Sequence, residues 1–132
     1  MRYMGIDYGT KRVGVALSDE AGTMGFPVKI LGNDARLIDE LLDIIEHDEV
    51  GVIVIGESRN YQGKDNAIAA PARGLGEVLG KSAGIPVVYE PEMLTTQEAR
   101  RLPDGTRDSH AVVDASAAAL ILTSYLSHLT NE

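Results

Sequence analysis

Four acids stand where chemistry could use them: Asp7, Glu57, Glu92 and Asp114. Asp7 follows the apolar run Met4-Gly5-Ile6 and precedes a glycine-containing turn. Glu57 follows Val52-Ile53-Val54-Ile55-Gly56, and Glu92, with Glu90 just before it, follows Val87-Val88-Tyr89. Each of these three runs reads as a strand, so each acid sits near a strand's carboxyl end. Asp114 shares helical spacing with Ala118, Ile121 and Tyr125. An acid on or beside such an apolar stripe is costly to bury without a partner. Hard divalent cations such as magnesium take carboxylate oxygens as ligands and keep several waters. Acids drawn from distant segments can hold one or two such ions, and two ions suit phosphodiester hydrolysis. Taken singly, each acid also has a plainer role. Asp7 could bond nearby turn amides, and Asp114 could favour a helix dipole. The convergence of several is the stronger signal.

Basic residues gather around the same segments: Lys11, Arg12, Arg59, Lys64, Arg100, Arg101 and Arg107. One alone would be a solvated charge, but together they could track a phosphate backbone. His47 and His128 fall near helix carboxyl ends, where imidazole suits the dipole, and read as structural. His110 lies four residues before Asp114 and could share its helical face as a general base or ligand, but a surface histidine is the plainer reading.

The elements that must position these groups follow from periodicity. Tyr3–Asp7, Val13–Leu17 and Phe26–Leu31 read as strands joined by short turns, hence antiparallel neighbours. Asn33 or Asp34 can cap a helix to about residue 47, with Leu37, Leu41, Leu42 and Ile45 as its stripe. Gly51–Ile55 is a Val/Ile run expected to be buried on both faces. A polar loop over Gly56–Lys64 leads to a helix capped by Asp65 or Asn66 and running to about Ala83, with Pro71 near its start. Pro86–Tyr89 is a short strand, Thr95–Arg101 a short helix and Pro103–Asp108 a loop. Ala111–Leu129 is the last helix, in which Ala117-Ala118-Ala119 permits close approach to a sheet. The expectation is an α/β chain with a five-stranded mixed sheet flanked by helices. Its first three strands should be antiparallel and its last two parallel to the first. In such sheets, sites form beyond the carboxyl ends of the parallel strands.

Composition bounds the rest. At 132 residues and 44% hydrophobic, the chain suits one domain with one real core. It has no cysteine, which excludes disulfides, zinc–thiolate sites and thiol catalysis. The start, MRYMGIDYGT, is not a signal peptide, and no run is long enough to span a bilayer. A cytoplasmic protein without membrane contact is expected. The net charge of −8 argues against tight non-specific nucleic-acid binding, not against nuclease chemistry.

Gly5-Ile6-Asp7-Tyr8-Gly9-Thr10-Lys11-Arg12-Val13-Gly14-Val15-Ala16 resembles the opening signature of the YqgF family. The resemblance continues, in order, at Gly56 and Asn60-Tyr61-Gln62-Gly63. It runs on through Glu92 with Leu94-Thr95-Thr96-Gln97-Glu98-Ala99, and through Val113-Asp114-Ala115-Ser116-Ala117-Ala118. It spans essentially the whole chain. These are RNase H-like proteins described as Holliday-junction resolvases and as pre-16S ribosomal RNA nucleases. The resemblance implies a single RNase H-like domain over residues 1–132, with Asp7, Glu92 and Asp114 as catalytic acids holding Mg2+ or Mn2+. It also implies a nucleic-acid substrate, either precursor ribosomal RNA or branched DNA. The chain departs from the family in places. The Gly-Leu-Pro loop reads Gly56-Glu57-Ser58, the Asp-Glu-Arg triplet reads Pro91-Glu92-Met93, and the basic stretch before the last acid reads Asp108-Ser109-His110. RuvC-type resolvases place an acid at the strand end corresponding to Glu57, which makes it a candidate fourth ligand. Two rival functions remain. A nucleotide-binding protein of the actin and sugar-kinase type shares the Asp-x-Gly-Thr turn, but would need two lobes. A non-catalytic binding module would fit the lost basic residues.

Overall fold

The computed structural model describes residues 1–57, 69–91 and 110–130, with side chains described at 1–57, 71–91 and 115–129. The strands are β1 (Arg2–Tyr8), β2 (Arg12–Ser18), β3 (Gly25–Gly32), β4 (Val50–Glu57) and β5 (Val87–Pro91). The described helices are α1 (Leu37–His47), α2 (Ala69–Ala83) and α3 (His110–Thr130). They build one sheet in the order β3-β2-β1-β4-β5. β1 pairs antiparallel with β2 and parallel with β4; β2 pairs antiparallel with β3, and β4 parallel with β5. This is the mixed sheet and strand direction expected from the hairpin trio followed by helical crossovers.

Alternation along each strand divides the apolar residues between two faces. Met4, Ile6, Val13, Val15, Ile53 and Ile55 pack on one face against α1 and α2. The stripe Leu37, Leu41 and Ile45 of α1 is buried there, with Leu42 partly buried beside it. Ala16 and Val54 pack on the other face against Ala118, Ile121, Leu122 and Leu126 of α3. β4 therefore is buried on both sides, as its unbroken Val/Ile run requires.

Three boundaries differ from expectation by more than one residue. α1 begins at Leu37, not at Asn33 or Asp34. Asp34 Oδ1 instead accepts the Arg36 N–H at 2.9 Å, a local turn that uses up the would-be cap. β4 runs through Gly56 and Glu57, which the sequence assigned to a loop, because they pair with Glu90 and Pro91 of β5. β5 in turn extends beyond Tyr89 through a proline, which an edge strand tolerates because no further neighbour needs its N–H. Pro27 obeys the same rule on β3, opposite Ala16 where the β2–β3 register shifts. Pro71 lies in the first turn of α2, where proline is accepted. The expected cap at Asp65 or Asn66, the helix Thr95–Arg101 and the loop Pro103–Asp108 lie outside the described residues. Among the described residues, no helix is long and apolar enough to cross a membrane.

Candidate active site

Asp7 is the penultimate residue of β1 and is partly buried. Alternation puts it on the face of Tyr3 and Gly5, the face that α3 covers. The turn that follows it is tightly built. A Cβ on Gly9 would meet the Arg12 carbonyl oxygen at 2.5 Å, so that close approach requires glycine. Asn33 locks the same turn from outside, donating its Nδ2 to the Gly9 carbonyl at 2.8 Å and its backbone N–H to the Lys11 carbonyl at 3.0 Å. Lys11 and Arg12 are exposed on this turn, at the sheet edge that Asp7 occupies.

α3 approaches β1 closely. A Cβ on Gly5 would lie 2.8 Å from the Ala118 carbonyl oxygen and 2.9 Å from Leu122 Cβ. Asp114 precedes Ala118 by one helical turn, about 6 Å of rise. Asp7 follows Gly5 by one pleat repeat, about 7 Å. Asp7 and the backbone position of residue 114 thus lie on one side of the sheet, each within a repeat of the same helix–strand contact. The side chain of Asp114 lies outside the described residues, as do Glu92, Arg59, Lys64, Arg100, Arg101 and Arg107. His110 opens α3, and its side chain is outside them too.

Glu57 is placed differently. Ile6 pairs with Ile55, so Asp7 stands level with Gly56 and Glu57 comes one residue later. That single step turns Glu57 to the opposite face, where Arg73 of α2 donates Nη2 to its Oε2 at 3.1 Å. The Tyr89 hydroxyl donates to the Arg73 carbonyl nearby at 3.4 Å. Burial, with the charge of Glu77, pushes the Tyr89 phenol up from its ordinary value, so it remains a neutral donor. Glu90 shares the face of Asp7, since Gly56 pairs with it across β4 and β5. It is buried, and Ser124 Oγ of α3 donates to its Oε2 at 3.1 Å.

The chain matches the family model described as "RuvX: Holliday junction resolvase" over residues 1–128. It belongs to the RuvX/YqgF family.

RuvX/YqgF relatives match along nearly their whole length. A protein of Nitratidesulfovibrio vulgaris (strain DSM 19637 / Miyazaki F) named "Putative pre-16S rRNA nuclease" is 37% identical over 136 residues, covering 96% of this chain and 94% of its own. One of the same name from Oenococcus oeni is 36% identical over 143 residues, covering 99% of each chain. Among solved structures, Thermus thermophilus RuvC aligns with a TM-score of 0.63 at 17% identity, covering 99% of this chain and 97% of its own. The T. thermophilus RuvC complex with Holliday junction substrate aligns with a TM-score of 0.65 at 18% identity, covering 98% and 96%. These likenesses establish the RuvC-like RNase H fold.

Some residues of this RuvX/YqgF chain escaped the sequence reading. Asn33 looked like a helix cap, yet it holds the turn after Asp7. Arg73 lies 16 residues from its partner Glu57, with no local pattern linking them. Among the described residues, no three His, Asp or Glu side chains gather closely enough to hold a metal ion together.

Proposed function

We propose that this chain is a divalent-metal-dependent endonuclease that processes the precursor of 16S ribosomal RNA. The observation that supports the reading is the close contact of α3 on β1, with Asp7 two residues beyond it along β1 and position 114 one turn before it along α3. The donor set fits Mg2+ or Mn2+: carboxylates from separate segments, of which Asp7 is partly buried near a strand end, in a chain without cysteine. Asp7, Asp114 and Glu92 would hold the ion, and Glu57 is left out because Arg73 and the opposite face claim it. Bound there, such an ion supplies Lewis acidity and an activated water for phosphodiester hydrolysis. The strand and the Asn33-locked turn keep the Asp7 carboxylate in place without reorganisation. Lys11 and Arg12, exposed on that turn, would meet substrate phosphates, with Arg59, Lys64, Arg100, Arg101 and Arg107 as further contacts. The choice of RNA follows the name carried by the relatives. The family description and the RuvC complex favour branched DNA as the second reading.

The test offers purified protein a precursor 16S RNA and a four-way DNA junction, with magnesium, with manganese and with excess chelator. Cleavage of the RNA is expected with either metal, and none in chelator. Asp7→Asn, Asp114→Asn and Glu92→Gln should each lower cleavage at least about a hundredfold while melting as the wild type does. Cleavage of the junction alone would transfer the assignment to branched DNA. Metal-dependent binding without cleavage of either would favour a non-catalytic module. Wild-type rates in Asp7→Asn would reject the site.

A further inference from the structure

α3 is held on the sheet by a seat and two flanks. The seat is the contact of Ala118 and Leu122 with Gly5. On one flank Thr123 Oγ1 accepts the Gly25 N–H of β3 at 3.0 Å. On the other, Ser124 Oγ donates to Glu90 Oε2 of β5 at 3.1 Å, and His128 Nδ1 lies 3.5 Å from the same oxygen. Residues 124 and 128 are one turn apart and share that flank. β3 and β5 are the two edge strands, so the helix is tied to both borders of the sheet.

Glu90 itself is only 5% exposed, although it is an acid. Its carboxylate is not part of the ion-binding set. Its bonded partner Ser124 lies ten residues beyond Asp114, about 15 Å of helix, too far for both acids to share an ion. A buried acid is costly unless it is hydrogen-bonded or paired, and Ser124 and His128 of α3 are the groups that meet it. Position 114 falls about 40° around the helix from Ala118, on the Ser124 and His128 flank. Rolling the helix about its seat by about 10° would move a group about 6 Å from the axis by about 1 Å. Displacements of that size cost catalytic sites about a hundredfold. Glu90 also stands two residues before Glu92 in the sequence, next to the last residue of β5.

We propose that Glu90 is a positioning residue which, through Ser124 and His128, sets the roll of α3 and so the placement of Asp114 relative to Asp7. This rests on the reading of Asp7, Asp114 and Glu92 as the metal-binding acids. The test is manganese binding to the full-length chain, followed by calorimetry, with thermal melting as the folding control. Glu90→Ala should weaken manganese binding about tenfold, and Ser124→Ala about threefold, the latter a mild change that keeps the fold. Glu90→Gln can still accept the Ser124 bond and should recover binding to within about threefold of wild type. Wild-type affinity in Glu90→Ala overturns the proposal while leaving the site reading intact. A Glu90→Gln variant as weak as Glu90→Ala, with Ser124→Ala and His128→Ala both at wild-type affinity, also overturns it, because Glu90 would then act through its charge and not through α3. A wild-type chain that binds no manganese overturns both.

Discussion

Glu57 and Asp7 lie near the ends of neighbouring strands one residue out of step, and that step sends them to opposite faces of the sheet. Glu57→Gln is therefore expected to change cleavage by less than about threefold across a magnesium titration. The change should cost at most about 1 kcal/mol of stability, because the Arg73 partner is partly exposed and the pair partly screened. Loss of cleavage in that variant would return Glu57 to the ligand set. At the far end of the sheet, Asp19 shows how local bonds tune a carboxyl. Its pKa is lowered to about 2, first by the Thr23 hydroxyl, then by the Thr23 and Met24 backbone N–H groups. A depressed folded-state value means the turn's contribution is present above the ordinary value of 3.8 and lost as pH falls through about 2. Thr23→Ala should move the Asp19 titration, read by carboxyl NMR, back toward the ordinary range. An unmoved value would show that the hydroxyl is not the main cause.

Among elements, the decisive pairing is α3 on β1. Gly5 and Ala118 are small, so the helix that carries Asp114 can lie close against the strand that carries Asp7. Gly5→Ala would push a Cβ into the Ala118 carbonyl, a backbone atom that cannot swing aside. The expected cost is about 1–3 kcal/mol in denaturant unfolding. Cleavage should fall further than the folded fraction does, since lifting α3 moves Asp114 from Asp7. Wild-type cleavage with unchanged stability would mean that the helix accommodates the methyl group and that the close contact is not needed. α2 plays a different part: it covers the other face and offers Arg73 to Glu57, which keeps that acid from solvent without joining it to the site.

Over the whole molecule, 20 acids against 12 lysines and arginines make a surface that repels phosphate except where basic residues are local. Affinity for nucleic acid should consequently rest on a few contacts at the strand-end edge. Lys11→Gln and Arg12→Gln are each expected to lower the slope of log affinity against log salt by about 0.9 on a duplex substrate, if each neutralises one phosphate. Unchanged slopes in both would move the substrate path away from the β1–β2 turn.

The mixed-sheet class, the two-sided burial of β4 and the candidate acids are legible in the chain alone. These depend on periodicity and on strand ends, which are local properties of the chain. Ala117-Ala118-Ala119 even announced that α3 would approach closely, and Gly5 is the residue that receives it. Tertiary structure decided what local pattern cannot encode. Whether Glu57 joins Asp7 depended on the register between two strands 50 residues apart in sequence. Asn33 served the β1–β2 turn instead of its own helix because folding brought Gly9 within its reach. Glu90 gained its partners from a helix 34 residues away. A carboxylate's type and spacing follow from the chain, but its face, its neighbours and its distance from the next acid are fixed only when sheet and helices pack.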